Sequence, residues 1–142
     1  MKNKNGFTLI EMLFTLAILS ILILLFVPSF NKTVQNQQVN QFLHVLQSDV
    51  LYMQNLSTGN KSDIRMIFNE NHYVVTNYLS NDIFIERQYP NDVTIQTRTI
   101  NYVSFNDKGT IRYPGTIQIK SRHKNYRVIF PLGKGRFYID ES

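Results

Sequence analysis

The sequence predicts an α+β protein: a long N-terminal helix, its first half membrane-spanning, packed on a C-terminal domain of antiparallel β-sheet. Three observations lead there. An apolar run of about 24 residues, Phe7 to Phe30, contains a single charge, Glu11. A second stretch repeats apolar residues at helical spacing, with Val39, Phe42, Leu43, Leu46, Val50 and Met53 on one stripe. From residue 61 the period shortens, and β-branched and aromatic runs alternate with Asn, Asp and Gly.

The first run, as a helix, is ~36 Å long, enough to cross a ~30 Å hydrocarbon core with some tilt. Lys2 and Lys4 precede it and a large polar segment follows it. That asymmetry places the N-terminus in the cytoplasm and residues 31–142 outside, with one pass through the cell membrane. Pro28 lies near the end of the run and is expected to kink the helix, because proline removes a backbone donor and crowds the preceding turn. The stripe from Val39 to Met53 makes an amphipathic helix whose apolar face needs a cover. The following domain is the candidate cover, and Ser57-Thr58-Gly59-Asn60 supplies the stop.

Strands are expected at Asp63–Phe68, Tyr73–Leu79, Ile83–Arg87, Val93–Thr97, Tyr102–Phe105, Thr110–Tyr113, Thr116–Lys120, Tyr126–Phe130 and Arg136–Ile139. Asn69-Glu70-Asn71, the stretch 89–92, Asn106 to Gly109, Pro114-Gly115 and Gly133 to Gly135 mark the turns. This spacing implies an antiparallel meander.

Composition excludes several chemistries. The 142 residues include no Cys, so a disulfide framework and a thiol nucleophile are ruled out. His44, His72 and His123 stand far apart without ligand spacing, so no metal or other cofactor is expected. Gly133 to Arg136 lacks the frame of a phosphate loop. Nothing reads as an active site, and an enzyme is not expected.

Glu11 and the residues before it carry more information. A carboxylate inside an apolar run is costly in lipid and needs a partner or a function. A secretory signal peptide has a shorter, uncharged apolar core and a small-residue cleavage site. A plain anchor leaves both Glu11 and the abrupt Gly6-Phe7 junction unexplained. Gly6-Phe7-Thr8-Leu9-Ile10-Glu11, after a short basic leader and before a long apolar helix, resembles the processing motif of type IV prepilins and pseudopilins. The resemblance implies cleavage between Gly6 and Phe7 by a prepilin peptidase, and N-methylation of Phe7. It also implies an assembly role for Glu11 and the helix-kinking role of Pro28. In a bundle of such helices, Glu11 would meet the freed amine of a neighbouring Phe7, offsetting its burial and fixing the axial register. The organisation is then leader 1–6, transmembrane and assembly helix 7–30, amphipathic helix 31–57 and β-rich domain 58–142, a pilin-like fold.

The stretches 105–109, 115–119 and 126–136 resemble minor pseudopilins of the GspH and FimT type. Fifteen Asn and no Trp or Cys fit an AT-rich coding genome of the kind common in low-GC Gram-positive bacteria. Such cells lack the outer membrane that type II secretion serves, and they use competence pseudopili. The resemblance therefore implies a ComG-type minor pseudopilin of a competence pilus, partnered by other pseudopilins including the major subunit. Type II secretion, type IV pili and a membrane-tethered binding module are the alternatives.

The formal net charge of +5 is uneven, with 8 basic against 2 acidic residues over 108–142. Lys120, Arg122, Lys124 and Arg127, followed by Lys134 and Arg136, form a candidate contact for double-stranded DNA, held without sequence preference. Tyr126, Phe137 and Tyr138 are the aromatic neighbours available to stack on bases. A solvated hairpin face is the competing reading of the same residues.

Overall fold

The computed structural model describes residues 6–59, 63–122, 124–133 and 135–142, and of 25–33 the backbone alone. One helix, α1 (Leu9–Ser57), is followed by β1 (Ile64–Phe68), β2 (His72–Asn77), β3 (Ile83–Gln88), β4 (Thr94–Thr97), β5 (Tyr102–Ser104), β6 (Gly115–Lys120), β7 (Asn125–Phe130) and β8 (Tyr138–Glu141). The chain divides into two compact units, Met1–Gln37 and Gln38–Ser142.

In the first unit the apolar side chains from Phe7 to Leu24 have no cover. Phe7 is 78% exposed, Leu9 81% and Leu24 75%. Among the described residues, no helix is long and apolar enough to cross a membrane. Residues 25–30 of the expected span lie outside the described side chains. The helical backbone continues through Pro28, whose side chain is likewise outside the description.

The second unit is built on the amphipathic stripe. Val39, Phe42, Leu43, Leu46, Val50 and Met53 are all buried, and Leu46, Val50 and Met53 almost completely. Burying side chains of this size contributes ~1.5–3 kcal/mol each. They share one core with Ile64, Met66, Tyr73, Val75 and Val103 of the first sheet, and with Ile117, Ile119, Tyr126, Val128 and Phe130 of the second. The rings of Phe42 and Tyr73 meet edge-on at 6.2 Å.

The single meander expected from hairpin spacing is replaced by two antiparallel four-stranded sheets, ordered β3-β2-β1-β5 and β4-β6-β7-β8. The chain leaves the first sheet at Tyr89-Pro90, where proline has no donor to continue a ladder. It adds β4 to the second sheet, returns for β5 beside β1, and then completes the second sheet. The strand expected at Thr110–Tyr113 is reduced to one bridge, between Phe105 and Ile111. The last strand starts at Tyr138 rather than Arg136, because the loop before it is pinned to the helix. Gln54 Nε2 donates to the carbonyls of Gly109 at 2.6 Å and of Gly135 at 2.7 Å. A Cβ on Gly135 would stand 2.7 Å from the Gly109 oxygen, so that close approach requires glycine.

The helix stops where the sequence says it should. Gly59 adopts φ +76°, the left-handed position that ends many helices. Its N–H donates to the Asp107 carbonyl at 3.1 Å.

Candidate functional site

Two sets of residues were singled out by the sequence, and the structure treats them differently. The first is the N-terminal motif. Helix α1 begins at Leu9, one residue after Thr8, and the Glu11 N–H donates to Thr8 Oγ1 at 3.4 Å. Thr8 also accepts through its backbone carbonyl from the Met12 N–H at 3.2 Å. Thr8-Leu9-Ile10-Glu11 is thus the Ser/Thr-x-x-Glu frame of a capping box, a signal present in the sequence and passed over there. A carboxylate in the first helical turn also faces the positive end of the helix dipole. Glu11 therefore helps start the helix within its own chain. Gly6 lies just before, and a Cβ there would meet nothing within 4 Å. The fold does not require glycine at position 6.

The second set is the basic cluster, and here the structure adds acidic partners. Lys124 Nζ lies 2.8 Å from Glu141, and this hydrogen bond holds the ammonium above its ordinary range. Arg127 Nη2 lies 2.6 Å from Asp140 Oδ2, and Arg122 Nε lies 3.9 Å from Asp92. Acidic residues far away in sequence, Asp92 and the C-terminal Asp140 and Glu141, return to the cluster through the sheet. Lys120 and Arg127 share the outward face of the second sheet, whereas Arg122 and Lys124 sit in the β6–β7 turn. Arg136 precedes β8 and is exposed, and Lys134 lies outside the described residues. The aromatic platform is not assembled either. Tyr126 is buried in the core, Phe137 stacks on Phe130 at 5.5 Å, and Tyr138 is exposed.

The polar group missed by sequence reading is Asp49. It is 6% exposed on the buried stripe of α1, three residues after Leu46 and four before Met53. Tyr73 O–H donates to its Oδ2 at 2.6 Å, and Arg87 Nε donates to the same oxygen at 3.0 Å. Burial and this bond push the Tyr73 phenol well above its ordinary range, and Asp49 likewise raises the Arg87 guanidinium. The triad ties the helix to β2 and β3. An acid at a stripe position was the available signal. Among the described residues, no group of three or more His, Cys, Asp or Glu is placed to hold a metal ion.

Comparison with known proteins bears on both regions. A family described as the prokaryotic N-terminal methylation motif matches residues 1–27. The N-terminal 27 residues thus match a prokaryotic methylation motif. Competence protein ComGD of Bacillus subtilis (strain 168) is 27% identical over 143 residues, spanning 100% of this chain and 97% of that protein. The similarity thus extends through the β-rich unit, well beyond the motif, and the chain resembles a competence protein over its whole length. No solved structure matches.

Proposed function

We propose that the chain is a minor pseudopilin of a competence pilus, a structural subunit needed for binding and uptake of extracellular DNA. One observation carries the reading: an uncovered apolar helix, with Glu11 as its only charge through Leu24, begins one capping residue after Gly6-Phe7. Full-length similarity to a competence protein gives that segment its context.

In this mechanism a single pass anchors the chain in the cell membrane, with the N-terminus in the cytoplasm and the β-rich unit outside. A prepilin peptidase cuts between Gly6 and Phe7 and the new N-terminal amine is methylated. Removing residues 1–6 takes Lys2 and Lys4 away from the end of an apolar helix and creates a cation at Phe7. That cation pairs with Glu11 of a neighbouring pseudopilin, and apolar helix packing does the rest.

The deciding experiment is uptake of labelled DNA into a nuclease-protected state in cells lacking only this chain. Uptake should be lost and restored by the intact gene. Normal uptake in those cells sinks the competence role. Glu11→Ala should leave membrane insertion intact and abolish co-assembly with the other pseudopilins, measured by crosslinking. Unimpaired assembly of that variant refutes the pairing.

A further inference from the structure

Arg122 and Lys124 lie in the turn between β6 and β7, so the outward face of the second sheet is the place to look for an anion site. Its register is known. Thr94 pairs with Lys120 and Gln96 with Gln118, then Gln118 pairs with Arg127 and Lys120 with Asn125. Directly paired residues share a face, so the outward rows hold Thr, Gln and Asn with Lys120, Arg127 and Asp140 among them. Toward one end of this face lies a cleft of about 280 Å³, lined by Arg98, Thr99, Thr116, Gln118, Arg127 and Ile129.

We propose that this cleft seats the phosphodiester backbone of duplex DNA, with Arg98 and Arg127 as its two anion contacts. The inference deepens the competence reading and rests on it. Two guanidinium groups line one small cleft and no carboxylate lines it. Arg127 is held by Asp140, but both partners are about half exposed. Such a surface pair is weak, and a phosphate can replace it. Arg98 is exposed on the bend after β4. Thr99 Oγ1 accepts the Thr116 N–H at 2.8 Å, which leaves the Thr99 hydroxyl proton free to donate. Gln118 Oε1 is buried without a hydrogen-bond partner among the described residues. A phosphodiester carries no N–H or O–H donor, so this acceptor takes no part in holding it. Arginine flanked by Thr, Gln and Asn is the donor set that most contacts to DNA phosphate and sugar use. Arg98, a lone base 22 positions before Lys120, lies outside the cluster of six cations that the sequence singled out.

The test uses the full chain in detergent micelles and a fluorescein-labelled 30-base-pair duplex, with anisotropy read at several salt concentrations. Arg98→Gln and Arg127→Gln should each weaken binding about tenfold, the loss of one charge-assisted hydrogen bond. Each should also reduce the slope of log affinity against log salt by about one. Arg122→Gln, in the turn, should stay within about twofold of the parent. Parental affinity and slope for Arg98→Gln would overturn the site, as would no duplex binding by the parent chain. Displacement of the duplex by poly(glycerol phosphate) at far lower phosphate concentration than by unlabelled DNA would assign the cleft to a polyol phosphate and overturn the DNA assignment. None of these outcomes touches DNA uptake in cells lacking the chain, so failure of the site and failure of the pseudopilin reading are separable.

Discussion

The two ends of α1 obey the same backbone geometry and answer to different solvents. From Leu9 to Leu24 the helix is apolar on every side and exposed on every side. From Val39 to Met53 it is apolar on one stripe, and that stripe is buried under two sheets of its own unit. A helix with an all-round apolar surface is stable only in lipid or among other such helices, whereas an amphipathic one is completed within its chain. The comparison teaches that one continuous element can hold two separate contracts. Its second part stabilises the subunit. Its first part contributes nothing to the subunit's own core and is free to be matched to other molecules.

That division is sharpest in a pair of truncations. Leu46→Ala should destabilise the second unit by ~2–5 kcal/mol through lost burial and a residual cavity. Leu16→Ala should leave the same unit within ~0.5 kcal/mol of the parent. The chain has 8 Tyr and no Trp, and every Tyr lies beyond position 37. Near-ultraviolet tyrosine dichroism in a urea titration therefore reports the second unit alone. A large effect of Leu16→Ala would show that the two parts are energetically joined.

The buried triad gives the second unit a pH dependence that the first part lacks. The Tyr73 phenol is shifted upward by burial and by Asp49, and Tyr89 is shifted upward by burial. An unfolded chain loses phenolic protons near pH ~10 while the folded unit keeps them, so the folded state binds more protons above that pH. Stability is therefore full below pH ~10 and falls as pH rises further, by at most ~1.4 kcal/mol per pH unit for Tyr73. Urea unfolding followed at far-ultraviolet wavelengths between pH 8 and 11 should show this decline. Tyr73→Phe should remove part of the decline and cost ~1–3 kcal/mol at neutral pH, because Asp49 loses a donor. The smallest effect belongs to the end of the helix. Gly59→Ala should cost ~1 kcal/mol, from placing a Cβ in the left-handed region, read as a small shift of the same urea midpoint.

Much of this was legible before any coordinates. Local rules cover the helix, its stripe and its stop, because side-chain periodicity and the φ that glycine permits act within a few residues. Eight strands are found close to their expected positions for the same reason. The split into two sheets was not legible, since hairpin-like spacing does not say whether the next strand stays in the sheet or leaves it. The surroundings of the basic cluster were not legible either. Counting charges along the chain shows Lys124 and Arg127 close together and cannot show that Glu141 and Asp140 come back beside them.

By itself the sequence determined the methylation-motif match that spans Gly6-Phe7, the single charge at Glu11, the apolar and amphipathic parts of one helix, and the α+β class. These follow from the order of residue types along a few turns of chain. Tertiary structure alone decided that Asp49 would anchor Tyr73 and Arg87, that Gln54 would hold two distant loops, and that Arg98 and Arg127 would line one cleft. Those are pairings between residues tens of positions apart. They are fixed by strand order and register, which no local pattern encodes.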